Sequence, residues 1–226
     1  MSAPDVPPRD AAAVPPCRLI AITDDLRDGR EGLVARAAAA VRGGATMIQL
    51  RLKHIDPRTM TDIARVLVAE VAVPVIINDR ADIALACGAA GVHVGPDDVP
   101  AAALRRIAPP GFLIGVSVGS DADVAMAAGG DYVGIGPVYG TASKLDAGDA
   151  IGLLGLAHLA SAAALPAVAI GGVTVATAAD VIAAGASGIA VIAAIFGASD
   201  PESAARALRR AMDRGVPASP ARRPGP

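Results

Sequence analysis

Eight short apolar runs, CRLIAIT, ATMIQL, VPVIIND, GVHVG, FLIGVSV, DYVGIGPV, LPAVAIGG and GIAVIAAIF, recur along the chain, β-branched in texture and charged only near their ends. Runs of this kind, apolar on both alternating faces, read as strands covered on two sides, and parallel strands beneath helices are the usual way to cover them. The segments between them, among them GREGLVARAAAAVRGG, DPRTMTDIARVLVAE, VPAAALRRIA and TVATAADVIAAGA, space their apolar residues by three and four, as amphipathic helices do. Strand and helix therefore alternate throughout. Eight such units of about 25 residues each fit the lower size range of a closed (β/α)8 barrel. The rival, an open doubly wound sheet, normally carries its ligand glycines after the first strand, where this chain reads TDDLRDGREG and lacks the dinucleotide spacing. The expected fold class is α/β, a single (β/α)8 TIM barrel.

The junctions echo one another. RGGATMIQL, CGAAGVHVG, AGGDYVGIG and AGASGIAVI each place glycine where a helix ends and a strand begins, the position of a left-handed cap, and this suggests a repeated unit. The ends of the chain are rich in Pro, Ala and Ser without an apolar period. The expected organisation is a low-complexity N-terminal tail over 1–16, a barrel domain over 17–215 and a Pro-rich C-terminal tail over 216–226. The stretch from Val181 to Ser199 is nineteen residues without a charge, long enough to be tested as a membrane span. Gly185, Ser187 and Gly188 interrupt it, and a helix end feeding a buried strand explains it better, so no membrane association is expected. A net charge of -2 and the absence of Trp leave neither a basic surface nor stacking platforms, so nucleic acid is not an expected partner. Cys17 and Cys87 lack metal-ligand spacing, and the N-terminus lacks a basic region followed by an apolar run, which points to the cytoplasm.

In a (β/α)8 barrel the ligand meets the C-terminal ends of the strands. Those ends are polar here. The second run leads into Gln49, Arg51 and Lys53, the third into Asn78, Asp79 and Arg80, and the fourth into Asp97 and Asp98. The fifth closes on Ser117, the sixth leads into Thr141, Ser143 and Lys144, the seventh into Gly171 and Gly172, and the eighth into Ala193 and Ala194. Strand alternation through QLRLK puts Gln49, Arg51 and Lys53 on one face, toward the barrel mouth, with Leu50 and Leu52 toward the helices. Cations and carboxylates converging on one pocket suit a polyphosphate with a divalent metal, and Asp79 and Asp98 fit Mg²⁺, which takes one or two carboxylates with phosphate oxygens and water. Lys53 and Lys144 are the two lysines beside eighteen arginines. A compact ammonium and a planar guanidinium are not interchangeable around a crowded phosphate, although a compositional drift to arginine would leave the same pattern. The Gly171-Gly172 pair and the start of the segment after the eighth run read as a second anion site, with structural glycine in a tight turn as the alternative. His93, mid-strand, reads as a hydrogen-bonded core histidine, His54 and His158 as exposed, Cys87 as core, and Arg209 and Arg210 as a solvated helix face.

Taken in order from about Leu19 to about Phe196, QLRLK, VIINDR, GVHVGPDD, IGVSV, DYVGIGPVYGTASK, AIGGV and GIAVIAAI resemble the thiamine phosphate synthase family. The resemblance implies a cytoplasmic barrel transferase. It would couple 4-amino-5-hydroxymethyl-2-methylpyrimidine diphosphate to a thiazole phosphate with release of pyrophosphate, by Mg²⁺-assisted dissociative substitution. It further implies that Gln49, Arg51, Lys53, Asn78 and Lys144 hold the diphosphate and Asp79 and Asp98 the Mg²⁺. Ser117 would lie near the pyrimidine, and Thr141, Ser143, Gly172 and the backbone at Ile192 and Ala193 would take the thiazole phosphate. Arg51, Lys53, Ser117 and Lys144 carry the catalytic roles in this reading. The chain departs from the family pattern at Leu52, Pro96, Asp97, Gly119, Ser143 and Ala193. Pro96 matters most, because it removes a backbone donor beside Asp98. Two alternatives stay open: a thiazole tautomerase, which places a histidine at the end of the fifth strand, and a degenerate, non-catalytic binder of phosphate ligands. Partners are expected to be the two small substrates, with homo-oligomerisation undetermined.

Overall fold

The computed structural model describes residues 17–141 and 148–216. Its strands are β1 (Leu19–Ile22), β2 (Met47–Leu50), β3 (Val75–Asn78), β4 (Gly91–Val94), β5 (Leu113–Val118), β6 (Tyr132–Ile135), β7 (Ala167–Ile170) and β8 (Gly188–Val191). Helices follow them in turn: α1 (Gly29–Arg42), α2 (Pro57–Glu70), α3 (Ala81–Cys87), α4 (Ala101–Ile107), α5 (Asp121–Val124), α6 (Gly152–Ala163), α7 (Ala178–Ala183), α8 (Ala193–Phe196) and α9 (Pro201–Arg214). All neighbouring strands pair in parallel, and β8 pairs with β1 through Leu19↔Ile189 and Ala21↔Val191, closing the barrel. The expected α/β (β/α)8 barrel is the observed fold. Apart from Val216, the two expected tails fall outside the described residues.

Strand pleat divides the core into two layers. Ile20, Ile22, Met47, Ile76, Tyr132, Val168 and Ala190 fill the barrel. Leu19, Ala21, Ile48, Leu50 and Ile77, one position out of phase, meet Leu33, Ile63, Leu67 and Leu208 of the surrounding helices. The four echoed junctions carry their glycines in the left-handed region, at φ 109° for Gly44, 72° for Gly88, 88° for Gly129 and 105° for Gly185. Gly88 shows why: as the cap of α3 it turns its N–H back onto the carbonyls of Ala84 and Leu85, a conformation that costs any residue with a Cβ.

At the N-terminal end of the barrel, Arg105 donates to the carbonyls of Gly129 and Phe112 at 3.1 and 2.9 Å and to the Asp131 carboxylate. Asp131 also accepts from the Ile114 N–H at 2.7 Å. The aspartate that opens DYVGIG thus closes the floor of the fold, away from the strand ends that matter for ligand.

Two strands are shorter than the sequence suggests. In QLRLK the ladder ends at Ile22↔Gln49. The Arg51 N–H then bonds to the Thr23 hydroxyl at 2.9 Å instead of continuing the backbone ladder, and Lys53 and His54 form a turn with His54 at φ 63°. In GIAVIAAIF the strand stops at Val191 and Ala193–Phe196 is a helical turn. The apolar texture misled because Ile195 and Phe196 are buried in this helical turn, as residues of a covered strand would be. Val181–Ser199 accordingly spans the end of α7, β8 and α8, and among the described residues no helix is long and apolar enough to cross a membrane.

Candidate active site

Because all eight strands run the same way around a closed barrel, the segments after β2, β3 and β4 leave side by side at one rim. Gln49 and Asn78 lie one pleat beyond the interior residues Met47 and Ile76, so both turn inward. Gln49 is 4% exposed and donates through Nε2 to Asn78 Oδ1 at 2.9 Å, which leaves the Asn78 amide N–H groups as donors. Arg51 is half-buried and its backbone is held at both ends by Thr23, whose hydroxyl accepts the Arg51 N–H at 2.9 Å and donates to the Arg51 carbonyl at 3.1 Å. Lys53 is exposed in the turn that follows. It borders a cleft of about 320 Å³ whose other walls include Asp24, Asp25, Leu52 and His54. Asp24 and Asp25 are bridged there by Arg27 and Arg36, and the Arg27 guanidinium holds the Asp25 carboxyl below the usual aspartate range.

Asp79 and Asp98 follow β3 and β4, neighbours in the sheet through Asn78↔His93. Asp79 takes φ 62°, unusual for a residue other than glycine, with its N–H on the His93 carbonyl at 2.8 Å. Asp98 accepts the Gly95 N–H through Oδ2 at 2.7 Å, and its own N–H returns to the Gly95 carbonyl at 3.3 Å. This small turn spends its hydrogen bonds on Gly95 and Asp98, so Pro96 occupies a position whose N–H the turn does not use. Among the described residues no group of three or more His, Cys, Asp or Glu side chains gathers as a ready-made cation cage. Two carboxylates on adjacent loops, without a histidine or cysteine cluster beside them among the described residues, suit the oxygen donors Mg²⁺ takes and not the nitrogen and sulfur set of zinc.

His93 is the core histidine expected of it. Its Nδ1 lies 3.2 Å from Tyr132 Oη and its Nε2 3.0 Å from Ser117 Oγ. Burial holds the Tyr132 phenol above its ordinary ionisation range. Gly119 is exposed and gives its N–H to Asp123 at 2.9 Å, part of the cap of α5. After β6 the chain is pinned to β7, with Val138 N–H on the Ile170 carbonyl at 2.8 Å and Tyr139 N–H on the Gly171 carbonyl at 3.0 Å. Gly171 and Gly172 have φ 91° and 65°. A Cβ on Gly172 would come within 2.7 Å of the Gly140 carbonyl, so fold geometry alone requires this glycine. Thr141, half-buried, is the last described residue before 142–147, and Ser143 and Lys144 lie outside the described residues. Ile192 and Ala193 form the entry to α8 at the same rim.

Elsewhere, His54 is an exposed turn residue, His158 an exposed partner of Asp121 at 2.7 Å, and Cys87 is buried. Arg209 is half-buried against Gly44, unlike the exposed Arg210. Sequence reasoning passed over Thr23 and Tyr132. Continuing the inward phase of β6 from Gly134 back to Tyr132 would have found the second. Thr23 offered only a hydroxyl at a strand end.

A family model described as thiamine monophosphate synthase matches residues 19–195. The thiamine-phosphate synthase of Roseiflexus castenholzii is 49% identical over 192 residues, covering 83% of this chain and 84% of that one. That of Methanoculleus marisnigri is 51% identical over 181 residues, covering 78% and 85%. Among solved structures, thiamine phosphate pyrophosphorylase from Pyrococcus furiosus superposes with a TM-score of 0.77 at 37% identity, over 88% of this chain and 97% of that one.

Proposed function

The chain belongs to the thiamine monophosphate synthase family, and from that premise we propose that this transferase joins 4-amino-5-hydroxymethyl-2-methylpyrimidine diphosphate to a thiazole phosphate and releases pyrophosphate. One observation carries the reading: Arg51, Lys53, Asn78, Asp79 and Asp98 leave three adjacent parallel strands at one rim of a closed barrel. Cationic, amide-donor and carboxylate groups gathered in that way suit a metal-bound diphosphate.

In this proposal Gln49 aligns Asn78 so that its amide N–H groups meet diphosphate oxygens, and Arg51, Lys53 and Lys144 add charge-assisted contacts. Asp79 and Asp98 would hold Mg²⁺, which when bound supplies positive charge beside the leaving oxygens. The bond between the pyrimidine methylene carbon and the diphosphate oxygen breaks with both electrons passing to the pyrophosphate. The aminopyrimidine ring spreads the resulting positive charge, and the thiazole nitrogen lone pair then forms the new C–N bond. No protein nucleophile is needed. The side chains neutralise charge on the departing group and orient the two rings. Ser117 would contact the pyrimidine, and Thr141, Ser143, Gly172 and the backbone of Ile192 and Ala193 would receive the thiazole phosphate. The isomerase alternative gains nothing from the end of β5, where Ser117 is engaged with His93 and Gly119 has no side chain.

The test is a coupling reaction with both substrates and Mg²⁺. Thiamine phosphate and pyrophosphate are expected in equal amounts, and Asp98→Asn, which keeps an acceptor for the Gly95 N–H but removes the charge, should lower the rate by about a hundredfold or more. Unchanged turnover in Asp98→Asn would remove that carboxylate from the site. Tautomerisation without coupling would replace the reaction.

A further inference from the structure

Inside the barrel, a chain of three polar side chains leads from a sealed level toward the open rim. Tyr132 on β6, His93 on β4 and Ser117 on β5 are linked by contacts of 3.2 and 3.0 Å. The register puts Gly115 opposite both His93 and Tyr132. A Cβ on Gly115 would sit 2.3 Å from Tyr132 Cζ and 2.4 Å from His93 Nδ1, and one on Gly134 would sit 3.0 Å from His93 Cε1. Two glycines thus stand where the polar chain passes, and any larger residue at 115 would break it.

Burial gives the chain a direction. Tyr132 is 1% exposed, and a phenol sealed from water that gave its proton to no acceptor would carry the cost of an unmade hydrogen bond. His93 Nδ1, 3.2 Å from Tyr132 Oη, is the ring nitrogen placed to accept that proton. An imidazole that accepts at Nδ1 carries its proton on Nε2, and that N–H donates to Ser117 Oγ. The serine hydroxyl, accepting from the ring, keeps its own proton to give outward. In the opposite tautomer Nε2 would take the serine proton, and Ser117 would offer only lone pairs.

We infer that Tyr132 and His93 are positioning residues that set Ser117 as a hydrogen-bond donor, making the end of β5 selective for a ligand atom that accepts, such as an unprotonated ring nitrogen of an aminopyrimidine. This rests on the proposed placement of the pyrimidine beside Ser117. The tautomer itself can be read without any substrate. In protein labelled with ¹⁵N-histidine and carrying His54→Asn and His158→Asn, both at exposed positions, His93 is the remaining histidine. The expected spectrum has the protonated, pyrrole-like nitrogen coupled to both ring C–H protons, which identifies Nε2. A proton on Nδ1 overturns the inference, whether or not the protein catalyses the coupling.

Kinetics supply the second arm. Tyr132→Phe keeps the ring and removes the donor. It should bring up the second tautomer and lower kcat/KM for the pyrimidine diphosphate by roughly fivefold, with KM for the thiazole phosphate unchanged. In a Ser117→Ala background the same change should cost nothing more, because the relay then has no end. Losses that simply add in the double variant would show that Tyr132 acts by another route and overturn the relay. If Tyr132→Phe fails to fold, the tautomer measurement decides alone. Absence of coupling by the unaltered protein strikes the proposed function and leaves the tautomer result standing.

Discussion

Arg51 owes its place at the barrel mouth to a hydroxyl. Thr23 is fully buried and spans the Arg51 backbone from both sides, so the guanidinium starts from a fixed point just where the β1–β2 ladder has ended. Thr23→Val keeps the shape and removes both bonds, leaving a half-buried peptide unit with one donor and one acceptor to satisfy. We expect a tenfold or so fall in kcat/KM for the pyrimidine diphosphate, nearly full activity in Thr23→Ser, and steady-state kinetics on the three proteins to separate them. Equal activity in Thr23→Val would mean that Arg51 is held by something else.

At the scale of elements, α2 and α9 start alike. Asp56 accepts the Thr59 N–H at 3.0 Å, Asp200 accepts the Ser203 N–H at 3.0 Å, and proline follows each aspartate. The Thr59 hydroxyl and N–H hold the Asp56 carboxyl, and the Ser203 N–H and hydroxyl the Asp200 carboxyl, below the ordinary aspartate value of 3.8. A depressed carboxyl contributes its stability fully above its unfolded value and loses it as pH falls through the lower folded value. The acid limb of stability should therefore flatten below about pH 4 in the Asp56→Asn, Asp200→Asn double variant, since asparagine still caps but does not titrate there. Thermal midpoints from pH 2.5 to 7 would show it, and identical pH profiles for the two proteins would count against the caps as titrating elements. Elements were largely legible in the sequence because each strand is apolar on both faces and each helix on one. The two misjudged ends share a cause. In QLRLK a side-chain hydroxyl replaced the next ladder partner, and in GIAVIAAIF buried apolar residues continued past the strand into α8, so neither change of backbone altered the apolar pattern. Within the candidate site, the strand-end groups Gln49, Asn78, Asp79 and Asp98 could be located from period and position. The Thr23 and Tyr132 contacts could not, because they depend on which strands become neighbours.

Across the whole molecule the two ends of the barrel differ in kind. Arg105 and Asp131 close the N-terminal end with bonds to backbone carbonyls and an N–H. The opposite rim carries cations, amides and carboxylates from loops that are far apart in sequence and adjacent in the closed sheet. That division follows the general rule that (β/α)8 barrels keep stability at one end and ligand chemistry at the other. The proposed function puts its chemistry in one place, with the rim after β2, β3 and β4 taking a diphosphate together with Mg²⁺. Calorimetric titration of pyrophosphate into the protein, with Mg²⁺ and then with the metal chelated, tests this directly. We predict one site per chain, with affinity lower by about a hundredfold without the metal, and the same loss in Asp98→Asn even when Mg²⁺ is present. Pyrophosphate binding that is equally tight with and without Mg²⁺, or that is untouched by Asp98→Asn, would contradict the account.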